Sequence, residues 1–385
     1  MKQKALVFAI LALCGSYGVG NAAEPNPPRI KFKAETPLQL PPDIFFGEVP
    51  AVATNSKGHI FVYSRGNSTG PAYAATAAQI LEFDANGKFI REIGRNLYAL
   101  SFAHAVRIDK DDNIWTVDKG SSTVLQFGQD GRPMAVYGRK PEASDYRAPP
   151  TTDRPRDLKA PVHHDGLFDQ PTDVAWDSAG NIYITDGYEN SRIAKINKDG
   201  AWVKSWGERG TGPGQFLTPH GIVVDNKDNI YVADRGNARI QVFDTNGKFL
   251  RQFTLRGQVP AYSLAGDKPN PNPIWLSAKL ATRTDDNPTV PKAYPDAPPV
   301  NLALVPGAPD AMCITPGPNQ VLYIGDINPS RIYKVSLEGK VLGMLGEPGG
   351  KVGEFRAIHG LACQDDHTLW AAELLNWRAQ KITLQ

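Results

Sequence analysis

Short apolar runs alternate with polar, glycine-containing turns along most of the chain, and they return at a regular spacing. The clearest unit reads Gly180-Asn181-Ile182-Tyr183-Ile184-Thr185-Asp186-Gly187, then Ser191-Arg192-Ile193-Ala194-Lys195-Ile196, then the turn Asp199-Gly200. It returns as Asp228-Asn229-Ile230-Tyr231-Val232-Ala233-Asp234, then Ala238-Arg239-Ile240-Gln241-Val242-Phe243, then Asn246-Gly247. Weaker copies run through Ile60-Phe61-Val62-Tyr63, Ile114-Trp115-Thr116-Val117-Asp118, Leu322-Tyr323-Ile324-Gly325-Asp326 and Leu369-Trp370-Ala371-Ala372-Glu373. β-branched and aromatic side chains suit a pleated, buried surface, and Asp, Asn and Gly suit the tight turns between strands. Each copy therefore predicts a four-stranded antiparallel meander. A period of about 45 residues with this content predicts the blades of a propeller.

The unit resembles the NHL repeat and extends over nearly all of the chain after its N-terminal segment. Six copies fall at 40–96, 97–140, 165–210, 211–257, 309–350 and 351–385, which predicts an all-β, six-bladed β-propeller of NHL-like repeats. The last copy lacks a fourth strand. Ile30-Lys31-Phe32-Lys33 is placed to supply it and to leave no open sheet edge. Two proline-rich inserts, 141–164 and 258–308, interrupt the repeat and read as long loops over one face. A degenerate seventh blade inside 258–308 is the competing reading. Residues 23–385 thus form one propeller domain.

The chain has 385 residues and a formal net charge of +2, a balance that argues against nucleic acid as a partner. Met1-Lys2-Gln3-Lys4, the apolar run Ala5 to Leu13 and the small residues ending at Gly20-Asn21-Ala22 read as a signal peptide over 1–22. The run is too short for a permanent membrane span. The expectation is a periplasmic or secreted protein. Leu13 is a poor fit to a lipoprotein cleavage site before Cys14, so cleavage near Ala22 or Ala23 is preferred. That cleavage leaves Cys313 and Cys363, on innermost strands of different blades, and buried thiols are expected there rather than a disulfide.

His104, His220 and His359 each open the first strand of a copy, and they fall in alternate copies. An acid follows each by fourteen residues: Asp118, Asp234 and Glu373. With 7 histidines in 385 residues, chance fills three of six equivalent places about once in 10⁴ trials. A lone histidine at a strand start is more often a satisfied core residue; three at equivalent places favour a metal. Alternate blades of six stand about 120° apart, so the three imidazoles form a ring around the axis with an open fourth side, as catalytic zinc is commonly held. In a meander the residues after the second strand crowd the same face: Arg65, Lys119, Tyr188 and Arg235. Asp118, Asp186, Asp234 and Asp326 recur in most copies and read as turn caps. His59, His163, His164 and His367 read as surface residues.

At these positions the chain resembles peptidyl-α-hydroxyglycine α-amidating lyase, a zinc-dependent six-bladed propeller enzyme. The resemblance rests on Gln170-Pro171-Thr172-Asp173-Val174-Ala175, Asp186-Gly187-Tyr188-Glu189-Asn190-Ser191-Arg192-Ile193, Pro219-His220 and Ala233-Asp234-Arg235. It implies cleavage of the carbinolamide C–N bond of an N-acylated α-hydroxyglycine to an amide and glyoxylate. It further implies zinc on His104, His220 and His359, Tyr188 as base, Arg65 stabilising its phenolate, and Arg235 facing the substrate carboxylate. A phenol with a pKa near 10 is a weak base at neutral pH unless a cation and a metal favour its charged form. The family's calcium-binding acid after the third zinc histidine is Gly360 here, while Val52 and Val106 hold places where backbone carbonyls contribute. Calcium is therefore left open. The family's cysteine in the Tyr188 loop is Glu189. Smaller carbinolamides are plausible substrates. The alternatives are a non-catalytic exported propeller binding a protein or glycan, and a metal-dependent lactonase or other hydrolase, whose usual carboxylate and amide ligands match three histidines poorly.

Overall fold

The computed structural model describes residues 26–66, 78–140, 164–260 and 302–385. The expected signal peptide, Cys14, His163 and most of both inserts lie outside them. The described residues form six four-stranded antiparallel sheets, each in simple meander order apart from the last. From the axis outward, the first blade is Ala51–Thr54, Ile60–Ser64, Gln79–Phe83 and Phe89–Ile93. The second is Ala103–Ile108, Ile114–Asp118, Thr123–Phe127 and Pro133–Gly138, and the third Asp173–Trp176, Ile182–Asp186, Arg192–Ile196 and Trp202–Trp206. The fourth is Pro219–Val224, Ile230–Asp234, Arg239–Phe243 and Phe249–Phe253, and the fifth Ala311–Ile314, Leu322–Gly325, Ile332–Val335 and Val341–Leu345.

The sixth blade takes three strands from the C-terminus, Ile358–Cys363, Thr368–Glu373 and Arg378–Leu384, and its outer strand from Phe32–Glu35. Phe32 pairs with Leu384 and Glu35 with Lys381. The ring thus closes by hydrogen bonds between the two ends of the described chain, and the outer edge of Arg378–Leu384 is not left unpaired.

A meander buried on both faces needs continuous apolar runs, and the second strands supply them: all five residues of Ile60–Ser64 and of Ile230–Asp234 are buried. Six apolar clusters fill the spaces between neighbouring blades. Tyr63, Val106 and Leu125 join the first two blades, Tyr231, Met312 and Tyr333 the fourth and fifth, and Val62, Leu81 and Trp370 the sixth and first. Burying one such large side chain stabilises the fold by about 1.5–3 kcal/mol.

The recurring acids act as expected in the turns. Asp186 binds Arg192 at 3.0 Å and Asp234 binds Arg239 at 2.7 Å, joining second and third strands. Asp326 accepts backbone N–H groups from Ser330, Arg331 and Gly307. His164 and His367 are exposed, whereas His59 is half-buried against Glu82 at 2.9 Å.

The expectation of two free thiols is overturned. Cys313 and Cys363 form a disulfide, with their Cα atoms 5.6 Å apart. They lie on innermost strands of different blades, but those blades are neighbours, and innermost strands converge toward the axis.

Candidate metal centre

The innermost strands differ systematically between alternate blades. In the second, fourth and sixth blades they have six residues and an irregular register; in the first, third and fifth they have four and pair regularly. The irregularities fall between Ala103 and Ala105, between Pro219 and Ile222, and between Ile358 and Gly360, so each histidine sits in a β-bulge. A bulge re-aims a side chain that regular pleating would send into a blade interface. All three imidazoles turn to the axis, with ring centroids 4.6–4.9 Å apart.

Each ring is held by the blade that follows. His104 Nδ1 lies 2.6 Å from the Thr172 carbonyl, His220 Nδ1 3.1 Å from the Asp310 carbonyl, and His359 Nδ1 3.0 Å from the Pro50 carbonyl. These acceptors occupy one equivalent place, directly before or at the start of the odd-numbered blades. A carbonyl only accepts, so each Nδ1 carries the proton and each Nε2 presents a lone pair. After His220 and His359 the residue is glycine because this carbonyl approaches its backbone. A Cβ on Gly221 would meet the Asp310 carbonyl at 3.0 Å, and one on Gly360 would meet that of Pro50 at 2.6 Å.

The spacing of fourteen also has a structural basis. The backbone N–H three residues before each histidine donates to the acid fourteen residues after it: Ser101 to Asp118, Leu217 to Asp234 and Arg356 to Glu373, all at 2.8 Å. The acid therefore fixes the loop that delivers the histidine. It is not a ligand.

One nitrogen from each imidazole lies within 4.8 Å of the others. His220 Nε2 is buried and has no hydrogen-bond partner among the described residues. Burial foremost, and then the adjoining imidazoles, push His104 far below the usual histidine range. Burial likewise dominates at His359, lowering it despite opposition from Asp310. Neutral imidazoles with inward lone pairs are what a borderline-soft cation requires, and three of them with an open side fit zinc.

Tyr188 covers the open side. Its hydroxyl lies 3.3 Å from His104 Nε2, and its ring meets those of His104 and His220 edge-on. The preceding Gly187 makes this possible, since a Cβ there would stand 1.9 Å from the Pro219 carbonyl, next to His220. The cation on the Tyr188 ring is Lys119, 3.5 Å from the centroid, with the Arg235 guanidinium at 5.4 Å. Arg65, expected to serve the phenolate, is instead committed to Glu48, to the Ala103 carbonyl at 3.0 Å and to the face of Phe102. Arg235 binds Asp310 at 3.2 Å, and the same Asp310 oxygen lies 2.9 Å from His220 Nδ1. Sequence reasoning missed Asp310. The available signal was its place before an odd-blade first strand, matching Thr172 and Pro50. Val52 and Val106 are buried on adjacent innermost strands and line the same small pocket as the three histidines.

The fold and the site together define an NHL-repeat β-propeller with a buried three-histidine centre. The NHL repeat family model matches residues 168–196 and 216–243. The chain is similar to peptidylglycine alpha-amidating monooxygenase of Rattus norvegicus, 32% identical over 234 residues, which cover 54% of this chain and 22% of that protein. It is 28% identical over 251 residues to NHL repeat-containing protein 3 of Homo sapiens, covering 62% of this chain and 65% of the relative. Over 242 residues it is 26% identical to peptidyl-alpha-hydroxyglycine alpha-amidating lyase 1 of Drosophila melanogaster, covering 55% and 40%. The chain thus spans only part of the relatives it matches. Among solved structures, streptogramin B lyase superposes with a TM-score of 0.53 at 14% identity, covering 92% of this chain and 98% of that one. That likeness concerns the fold alone. No helix among the described residues is long and apolar enough to cross a membrane.

Proposed function

We propose that the protein is a zinc-dependent carbon–nitrogen lyase that splits an N-acyl-α-hydroxyglycine, or a smaller related carbinolamide, into an amide and glyoxylate. The observation that carries this reading is the ring of three Nδ1-anchored imidazoles, with Tyr188 placed against its open side. The similarity to proteins named for α-hydroxyglycine amidation supports the same chemistry. When bound by His104, His220 and His359, zinc supplies Lewis acidity at the substrate hydroxyl oxygen.

The side chains around it have distinct tasks. Tyr188 takes the hydroxyl proton as the C–N bond breaks and the carbonyl of glyoxylate forms, and the same proton is returned to the departing amide nitrogen. The Lys119 ammonium and the Arg235 guanidinium stabilise negative charge on its oxygen by Coulomb attraction across a water-poor site. Arg235, steadied by Asp310, faces the substrate carboxylate, and its fork suits that anion. The carbonyl anchors of the histidines keep the Nε2 lone pairs inward, so the centre needs little rearrangement to act.

The test is glyoxylate release from a simple acylated hydroxyglycine by the zinc-loaded protein. Tyr188→Phe is expected to lower turnover by about 10²–10⁴-fold, the usual worth of a general base. Its zinc content should match wild type. No release above the uncatalysed rate from wild type removes the lyase assignment for this substrate class. Full activity in Tyr188→Phe removes the tyrosine as base. A non-catalytic propeller has no use for three inward lone pairs and shows neither metal stoichiometry nor turnover.

A further inference from the structure

Below the histidine ring the axial channel is crossed by one side chain, Arg107. Its Nε lies 2.8 Å from Asp173 Oδ1 and its Nη2 2.5 Å from Asp173 Oδ2. The same guanidinium donates to the Leu361 carbonyl at 3.2 Å and to the Met312 carbonyl at 3.1 Å. Asp173 Oδ2 in turn accepts the Ile222 N–H at 3.1 Å. These five residues, Arg107, Asp173, Leu361, Met312 and Ile222, lie on the innermost strands of the second, third, sixth, fifth and fourth blades.

Their positions relative to the centre are systematic. Arg107 is three residues past His104, Ile222 two past His220, and Leu361 two past His359. Asp173 follows Thr172, which anchors His104, and Met312 is two past Asp310, which anchors His220. The Arg107–Asp173 ion pair therefore ties together every strand that carries a histidine and two of the three that anchor one. A guanidinium spreads its donors over a rigid fork, so it can meet acceptors from several directions at once.

The place fits a guanidinium and does not fit calcium. Calcium takes six to eight oxygens, usually with more than one carboxylate. Here the Leu361 and Met312 carbonyls and the Asp173 carboxylate already accept from Arg107. A carboxylate at position 360 has no room, because its Cβ would stand 2.6 Å from the Pro50 carbonyl. A divalent ion in the same cavity would also be repelled by the guanidinium at short range.

We propose that Arg107 is the resident cation of the axial channel: it occupies the place of a structural metal and positions the three histidines, so the protein binds one metal and not two. Arg107 is a positioning residue, acting on the centre through the strands it joins. The inference rests on the metal-centre reading but not on the identity of the substrate.

The test compares wild type, Arg107→Met and Arg107→Lys as full chains, each with a native circular dichroism spectrum. Zinc affinity is measured by competition with a chromophoric chelator, and the visible spectrum of the cobalt-loaded protein reports ligand geometry. Arg107→Met is expected to bind zinc about 10–100-fold more weakly, as for loss of groups that orient ligands, with an altered cobalt spectrum. Arg107→Lys, which keeps the charge without the fork, is expected to fall between. Wild type is expected to hold no calcium by elemental analysis and, with its zinc loading held constant, to melt at one temperature with and without millimolar calcium. Unchanged zinc affinity and cobalt spectrum in Arg107→Met overturn the positioning role. Stoichiometric calcium in wild type, or a calcium-raised melting temperature, overturns the resident-cation role. If Arg107→Met does not fold, Arg107→Lys decides by the same two readings. If wild type binds no zinc, the metal centre itself fails, which is a different result from equal binding by both proteins.

Discussion

Asp310→Asn separates two tasks that one carboxylate performs. Asp310 Oδ1 lies 2.9 Å from His220 Nδ1 and 3.2 Å from Arg235 Nη1, while Oδ2 is buried and unpartnered among the described residues. Asparagine keeps the volume and one acceptor but removes the charge. His220 retains the carbonyl of residue 310 at 3.1 Å, so it loses one of two Nδ1 contacts. The expected weakening of zinc binding is therefore at the low end of the range for orienting groups, about tenfold or about 1.4 kcal/mol. Arg235 fares worse. Its side chain is only 14% exposed, and breaking a buried ion pair costs about 3–5 kcal/mol. Contact with Tyr188 and residual exposure place the loss near about 3 kcal/mol. Urea unfolding of the metal-free protein reads the Arg235 contribution, and a zinc competition titration reads the His220 contribution. If Asp310→Asn keeps both wild-type stability and wild-type zinc affinity, the carboxylate serves neither partner as argued.

Two further outcomes follow from features outside the histidine ring. The Cys313–Cys363 bridge closes a loop of 50 residues, worth about 4 kcal/mol in the chain-entropy account; reductant and the Cys313→Ser, Cys363→Ser double variant are expected to lower the unfolding midpoint equally, and a midpoint indifferent to reductant counts against the bridge. Burial first, then Arg65 and Arg235, push Lys119 down from 10.5 to about 8; the unfolded chain thus binds more protons between those values, so stability is expected to rise as pH climbs from about 8 toward 10.5. Urea titrations across that window are expected to show the Lys119 increment in wild type and its loss in Lys119→Met; equal slopes count against a depressed Lys119.

The strands were legible because each blade repeats one pattern of β-branched runs and Asp/Gly turns, and because the second strands are mostly apolar up to a closing polar residue. The missing outer strand of the sixth blade was legible as an omission, matched by Ile30-Lys31-Phe32-Lys33 near the other end. The histidine ring was legible from place alone, since equivalent positions in alternate blades must face one axis. What joins the blades was not. Arg65 follows its strand as Lys119 follows its own, yet Glu48, brought close only by folding, claims the first and leaves the second on Tyr188. The disulfide was hidden for a similar reason: sequence separation measures nothing about two strands that converge on the axis. Asp310 went unnoticed because its partners, His220 and Arg235, come from another blade.

Even-numbered blades contribute imidazoles, and odd-numbered blades contribute the carbonyls that orient them. Around the histidine ring the unit of construction is therefore not the blade but the pair. Parity then restricts how such a ring can change. Losing or gaining a single blade would set two contributors of the same kind side by side: either two imidazole blades, one with no carbonyl to turn it inward, or two carbonyl blades, which break the even spacing of the ring. Losing or gaining two neighbouring blades would keep every histidine anchored but change the number of ligands. Three anchored donors with one side open thus go with three pairs, and a propeller of seven blades could not hold this centre in the same way.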